Sequence, residues 1–303
     1  MLKHWQHTEF VEQNTYDLFV NGTPIVPSQY LPDNLAVFIE STKGSKRLEG
    51  IYDPEIKGIR ELKDKSSPNR DLRLYMDAIR TKRITMIAVD GLVGTGKTST
   101  CVESIVEQHL SNIRFLNICD TRDDVKNIVE HQVYICKPHV NAGGCDEQYG
   151  YLPGDIDDKL DPTIGNFIQY FDRFSQHGFD KLRSAGYIKI LPLGFIRGLD
   201  AKDMTIIADE SQNTKELVSL ATRKASNARI FFLGDTSPFQ IDTIGNDSKR
   251  NGLAHLIELL KGAPYFQYIE MKSLQHIVRS SEVKDIIRRL FDKYGENPQE
   301  WIV

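Results

Sequence analysis

"ITMIAVDGLVGTGKTST", residues 84–100, decides the fold. Its first six residues form a continuous apolar run, the pattern of a strand buried on both faces of a parallel sheet. A glycine-rich turn follows, and then a segment that reads as the start of a helix. Gly91, Gly96, Lys97 and Thr98 satisfy the spacing G-x-x-x-x-G-K-[ST] in that strand–loop–helix context. Glycine makes up about 7% of an average sequence, so the match should arise by chance in roughly one chain of this length in a hundred. Each residue type has a physical task. The glycines let the backbone curl and aim its N–H groups inward, and the helix start adds its positive end. Gly91, Leu92, Val93, Gly94, Thr95, Gly96, Lys97, Thr98 and Ser99 are therefore read as a phosphate cradle. Lys97 would neutralise the β- and γ-phosphates of a nucleotide, and the Thr98 hydroxyl would hold Mg²⁺.

Working outward, "MTIIADE" (204–210) ends an apolar strand pattern in Asp209-Glu210. This places two acids at a strand's C-terminal edge, where open α/β sheets bind ligands. Asp209 would reach Mg²⁺ through its water shell, and Glu210 would orient and deprotonate an attacking water. That pair fits an enzyme that hydrolyses its nucleotide better than a small-molecule kinase, which must exclude water. "IFFLGDTSPFQID" supplies a third strand end. Asp235 and Gln240 there read either as a γ-phosphate sensor or as a polar turn built on Asp-Thr-Ser-Pro. Efficient phosphoryl transfer also calls for an arginine. With room for a single motor domain, the arginine is expected from a neighbouring subunit, which implies a closed ring. Arg279 is the first candidate and Arg197 the second.

Strand patterns at 132–136, 187–191, 204–208, 229–233 and 265–269 are separated mostly by helical ones. The expected class is α/β, with a parallel central sheet. Residues 1–66 read differently, as a small β-rich module. "DLFVNGTPIVP" suggests a hairpin turning at Asn-Gly, and "LAVFIESTKGSKRLEGIYD" a second one turning at Lys43-Gly44. "KDKSSPNR" would link the module to a domain covering 67–303, and "DLRLYMDAIR" spaces Leu72, Tyr75, Met76 and Ile79 on one helical face.

The 303-residue chain carries 38 basic and 42 acidic residues, a net charge of −4. That argues against a broad nucleic-acid coat but leaves room for a local basic channel from "RTKR" (80–83) or Lys43, Lys46 and Arg47. No apolar run approaches the ~18 residues of a membrane helix, and the N-terminus lacks a signal-peptide core, so the expected location is cytoplasmic. The four cysteines, at 101, 119, 136 and 145, form no CxxC pair and read as free thiols.

With these residues in view, the chain resembles the PhoH family over roughly Pro68 to Leu290. "GYLPGDIDDKLDP", "ILPLGFIRG", "IIADESQNT", "RNGL" and "HIVRSSEV" carry the likeness. The resemblance implies a RecA-like P-loop ATPase using ATP and Mg²⁺, related to superfamily 1 helicases and acting on RNA or single-stranded nucleic acid. It also implies self-association into a ring, with a hexamer favoured. Residues 15–66 resemble the connector that joins a PIN nuclease to the motor in longer relatives, and no nuclease activity is expected. Three departures stand out. The family's Arg before Pro is Lys137, which keeps the charge but loses the bidentate fork. No glutamine occurs at 60–79, where the family reads the nucleotide base, and Leu72 falls near that place. The sensor holds two extra residues between Asp235 and Gln240.

Other signals are weaker. His131, Cys136, His139 and Cys145 crowd together without a zinc clip and read as buried thiols and loop histidines. "HWQH" (4–7) reads as a solvated or docked N-terminus, and "IQYFDRF" as helical core rather than a base-stacking platform. The glycine-rich stretch at 139–155 is expected to contact substrate together with Lys137 and Tyr149. An alternative to a nucleic-acid-coupled ATPase is a slowly hydrolysing, nucleotide-switched ring scaffold that binds protein partners.

Overall fold

The computed structural model describes residues 4–44, 46–62, 67–109, 131–137, 164–192, 200–237 and 251–294. Arg197, Gln240, the 139–155 stretch and the extra sequence at 112–130 lie outside the described residues. The chain divides into two compact units, one comprising Met1–Ile84 with Leu260–Ile269, the other Thr85–Leu259 with Glu270–Val303. The division falls at Ile84 rather than residue 66, because the helix at Arg70–Arg80 clusters with the N-terminal unit.

In the first unit, β1 (Thr8–Val11), β2 (Ala36–Ser41), β3 (Leu48–Asp53) and β4 (Gly58–Glu61) form a sheet in that order. β1 runs parallel to β2, and the other pairs are antiparallel. The β2–β3 hairpin turns around Gly44, whose φ is +77°, as read from its sequence. The hairpin expected at Asn21-Gly22 is not there. Residues Gln13–Val20 form helix α1, which buries Tyr16 and Phe19 against β-sheet residues such as Val37, Ile39 and Ile59. Asn-Gly closes that helix instead. Thr23 N–H donates to Leu18 O (3.0 Å), Gly22 N–H donates to Phe19 O (2.9 Å), and Gly22 has φ +89°.

Helix α2 (Arg70–Arg80) starts at Asn69, whose side chain accepts from the Asp71 and Leu72 N–H groups. Its buried face is Leu74, Tyr75, Ala78 and Ile79, not the expected row through Leu72 and Met76. Asp77 is buried with them and receives both arms of Arg60 at 2.9 Å. Arg60 also donates to Asp53 (2.8 Å), which in turn meets Arg83 at 3.1 Å. Arg83 is thus drawn into an alternating ion network and does not supply the open basic face read from "RTKR". The start of "HWQH" is docked. His4 bridges Ala36 N–H (2.9 Å) and Tyr268 O (2.8 Å), and burial pushes its imidazole down to about 4.

The larger sheet has six strands in the order β10-β5-β9-β8-β6-β7, and its described pairings are parallel. These strands are β5 (Met86–Gly91), β6 (Gln132–Lys137), β7 (Ile188–Pro192), β8 (Met204–Ala208), β9 (Arg229–Gly234) and β10 (Phe266–Met271). Every residue of β5 and β8 is buried, which is why both read as mainly apolar runs. Helices α3 (Lys97–His109), α4 (Gly165–Asp172), α5 (Gly178–Ser184), α6 (Leu217–Ala221), α7 (Gly252–Leu260) and α8 (Ser281–Tyr294) accompany it. Among the described residues no helix is long and apolar enough to cross a membrane. Parallel pairing puts the C-terminal tips of β5, β9, β8 and β6 side by side, so residues far apart in sequence share one edge.

Candidate functional site

The loop after β5 is held by its own backbone. Gly94 and Gly96 have φ of +76° and +94°, a region where a Cβ clashes with the carbonyl that follows it. Leu92 N–H donates to Met271 O (3.1 Å), and the buried Thr95 hydroxyl donates back to Leu92 O (2.8 Å). The Leu92 side chain packs with Ile277, Ile287 and Phe291. The Leu92 N–H is thus engaged within the protein, and neither Leu92 nor Gly91 is among the residues lining the cavity described below. They contribute carbonyls, which accept from the Lys97 ammonium, at 3.0 Å in the case of Leu92. The first-turn N–H groups of α3, from Gly96 to Ser99, have no acceptor inside the helix and are the donors left for an anion. The Ser99 hydroxyl is turned back onto Gly96 O at 3.1 Å.

Val93 through Thr98 line a cavity of about 190 Å³. Across it stand Asp209, Glu210, Asp235 and Arg279, so these four join Val93–Thr98 there, whereas Gly91, Leu92 and Ser99 do not line it. Asp209 is buried, and its N–H donates to Cys136 O (2.9 Å). Its Oδ2 has no hydrogen-bond partner and faces Lys137 Nζ at 3.2 Å. Lys137 also lies 5.8 Å from the centre of the Phe167 ring, and its side chain is only 13% exposed. Lys137, expected to contact substrate, is thus paired with Asp209 in this structure. Glu210 occupies the left-handed region (φ +52°, ψ +39°), a conformation that costs a non-glycine residue on the order of 1–3 kcal/mol and tends to cluster at functional sites. Its carboxylate accepts from Gln212 Nε2 (2.7 Å), while Gln212 Oε1 accepts from Asp235 N–H (3.1 Å). Gln212 thus spans two strand tips.

Asp235 forms the polar turn and also lines the cavity. Its Oδ1 accepts from Ser237 N–H (2.9 Å), as a turn-forming aspartate does, and its Oδ2 is buried without a partner at the cavity. Arg279 departs from expectation. It lines the cavity of its own chain, and Val278 N–H donates to Gly94 O (2.9 Å), seating the arginine's stem over that glycine. The arginine expected from a neighbouring subunit thus lies on the cavity of its own chain.

Burial lowers the Lys97 ammonium below the usual lysine range, against the pull of Asp235, Asp209, Glu210 and Asp90. Thr98 and Asp209 offer a hydroxyl and a buried carboxylate, the latter paired with Lys137, on one cavity, a hard-oxygen set that fits Mg²⁺. No zinc site forms among the described residues. Cys136 is buried with its thiol pushed up to about 12 by desolvation, and His131 pairs with Thr205 (2.9 Å).

The sequence reading missed Asp90, Gln212, Lys272, Asn166 and Tyr170. Of the aromatics in "IQYFDRF" only Phe171 is core as expected; Phe174 is 40% exposed, and Tyr170 lines the cavity with Asn166. Asp90 carried a signal, being a charge inside a run otherwise fit for a buried strand. Lys272 carried none.

The model of the family described as "PhoH: PhoH-like protein" matches residues 66–291. A PhoH-like protein of Bacillus subtilis is 30% identical over 250 residues, covering 81% of this chain and 69% of that protein. One from Mycobacterium tuberculosis is 28% identical over 216 residues, covering 70% of this chain and 54% of the relative. Protein PhoH2 of Thermobispora bispora is 25% identical over 270 residues, covering 84% and 55%. The chain spans about half the length of several of the curated relatives it matches. Together with the loop–helix geometry, the family match supports nucleotide binding at this cavity.

Proposed function

The chain belongs to the PhoH family, and from that premise we propose that it is an Mg²⁺-dependent ATPase acting on RNA or single-stranded nucleic acid, as a helicase-like motor or RNP remodeller, and assembling into a ring. The observation that carries the reading is the convergence of the β5, β8 and β9 tips on one cavity, with the glycine-rich loop facing Asp209, Glu210 and Asp235. In this reading the N–H groups of Gly96 to Ser99 and the Lys97 ammonium bind the β- and γ-phosphates. Thr98 and Asp209 would hold Mg²⁺, which supplies charge neutralisation across the phosphate oxygens. Glu210 takes the proton of a water aligned for in-line attack on the γ-phosphorus, and the new P–O bond forms as the β–γ bridging bond breaks. Gln212 keeps the Glu210 carboxylate in place. Arg279, in cis, stabilises the charge on the transferring group.

The test is steady-state ATP hydrolysis with and without single-stranded RNA, using Lys97→Ala as the blank. Stimulation by RNA supports a coupled motor and makes unwinding worth assaying. Hydrolysis indifferent to RNA favours the alternative, a nucleotide-switched ring scaffold with protein partners, a reading consistent with the net charge of −4. Hydrolysis no greater than that of the blank overturns the ATPase reading.

A further inference from the structure

Behind the cavity lies a buried ion cluster that neither the P-loop motif nor the acidic pair accounts for. Lys272, the first residue after β10, is only 6% exposed and projects its ammonium between two strand tips. It meets Asp90 Oδ1 at 3.0 Å and Asp235 Oδ1 at 3.3 Å. It also donates to the hydroxyls of Thr236 (2.8 Å) and Ser237 (3.2 Å). Thr236 closes the cluster by giving its N–H to Asp90 Oδ1 (2.8 Å) and its hydroxyl to Asp90 Oδ2 (2.5 Å). Burial works to lower the Lys272 ammonium, but Asp90 and Asp235 outweigh it and hold it above the usual lysine range.

The residues around Lys272 belong to the phosphate loop's own support. Met271 O accepts from Leu92 N–H on one side, and Val278 N–H reaches Gly94 O on the other. One short segment, 271–279, therefore grips the loop at two backbone points and, between them, grips Asp235 through Lys272. Asp235 is left with one oxygen held by Lys272 and Ser237 and the other directed at the cavity.

Resting on the nucleotide-site reading above, we propose that Lys272 is a positioning residue for nucleotide recognition: with Asp90 it fixes Asp235 against the phosphate loop, so that the site distinguishes a triphosphate from a diphosphate. The donors that bind the diphosphate part come from the start of α3 and are held by backbone bonds that do not involve Lys272. The γ-phosphate side depends on Asp235, which without the ammonium would keep its Ser237 N–H bond but lose its paired counter-charge beside an anion. The two halves of the ligand should thus respond differently to the loss of one side chain.

The experiment measures affinity for ADP and for a β,γ-imido ATP analogue, both with Mg²⁺, by calorimetry. Lys272→Met should lose at least tenfold in affinity for the triphosphate analogue while changing less than threefold for ADP. Because that variant leaves two buried acids facing each other, Lys272→Met/Asp90→Asn is measured beside it. The double variant keeps the net charge of the Asp90–Asp235–Lys272 group at −1 but still lacks the ammonium, and it should show the same selective loss. Equal losses for both nucleotides in the double variant would mean a merely structural role and overturn the proposal, as would unchanged affinity for both. A wild-type protein that binds neither nucleotide defeats the proposed function itself, and this assignment with it.

Discussion

Gly94→Ala tests where Arg279 sits. Gly94 has φ +76°, and a Cβ built there would lie 2.8 Å from Arg279 Cγ, 3.1 Å from Cδ and 3.2 Å from Nε. Two costs follow. The left-handed backbone penalises alanine by about 1–2 kcal/mol, partly offset by the roughly 0.4–1 kcal/mol that Gly→Ala gains by restricting the unfolded chain. That leaves about 1 kcal/mol. Displacing the arginine stem adds overpacking at the low end of its range, about 1 kcal/mol. Gly94→Ala should therefore destabilise the wild type by about 2 kcal/mol but an Arg279→Ala background by only about 1 kcal/mol, a coupling of about 1 kcal/mol. Nucleotide-free urea unfolding of the four proteins at one pH reads this directly. If the two costs agree within ~0.3 kcal/mol, the sites are independent. Arg279 would then not rest on Gly94, and the expectation of an arginine reaching a neighbouring subunit would be open again.

Other outcomes follow from the same geometry. Mixing Arg279→Ala with Lys97→Ala subunits should restore no ATPase activity, because Arg279 lines its own chain's cavity, and recovery above either parent would refute that. Glu210→Gln should lower kcat by about 10²–10⁴-fold, the usual worth of a general base, with ATP affinity changed little, as steady-state rates and binding titrations would show. Burial outweighs the nearby Arg70 and the Trp5 indole bond and raises the Asp71 carboxyl from 3.8 to about 6. The folded protein therefore holds that proton more tightly than the unfolded chain, so the stability it contributes is complete below 3.8 and lost as pH rises through about 6. At about 1.4 kcal/mol per pH unit the loss is on the order of 3 kcal/mol. Relative to Asp71→Asn, wild-type stability measured by urea unfolding should fall between pH 4 and pH 7, and parallel curves would show that the carboxyl is not perturbed.

The phosphate loop and the acidic pair were legible because their information is local. A strand buried on both faces must be apolar at every position, a loop with positive φ needs glycine, and a helix start offers unpaired N–H groups to whatever anion lies before it. The same local logic failed at Asn21-Gly22, a dipeptide that closes a helix as readily as it turns a hairpin. What separated the two was long-range, the burial of Tyr16 and Phe19 on one helical face against the small sheet. It failed again at Lys137, Arg83 and Arg279, each of which reads as a free basic residue until its partner is known. Lys137 answers to Asp209, Arg83 to Asp53 and Arg279 to the loop at Gly94.

By itself, then, the sequence determined the class of the sheet, the glycine-rich loop that opens α3 and the two acids beside it. Which strand tips become neighbours was decided only by the tertiary structure, through the order β10-β5-β9-β8-β6-β7. That order puts residues 90, 235, 209 and 137 on successive tips and brings Lys272 in from the β10 edge between two of them. The physical reason is that periodicity and turn chemistry act over a few residues. The pairing of a buried charge, by contrast, is settled by whichever opposite charge the folded sheet carries to it.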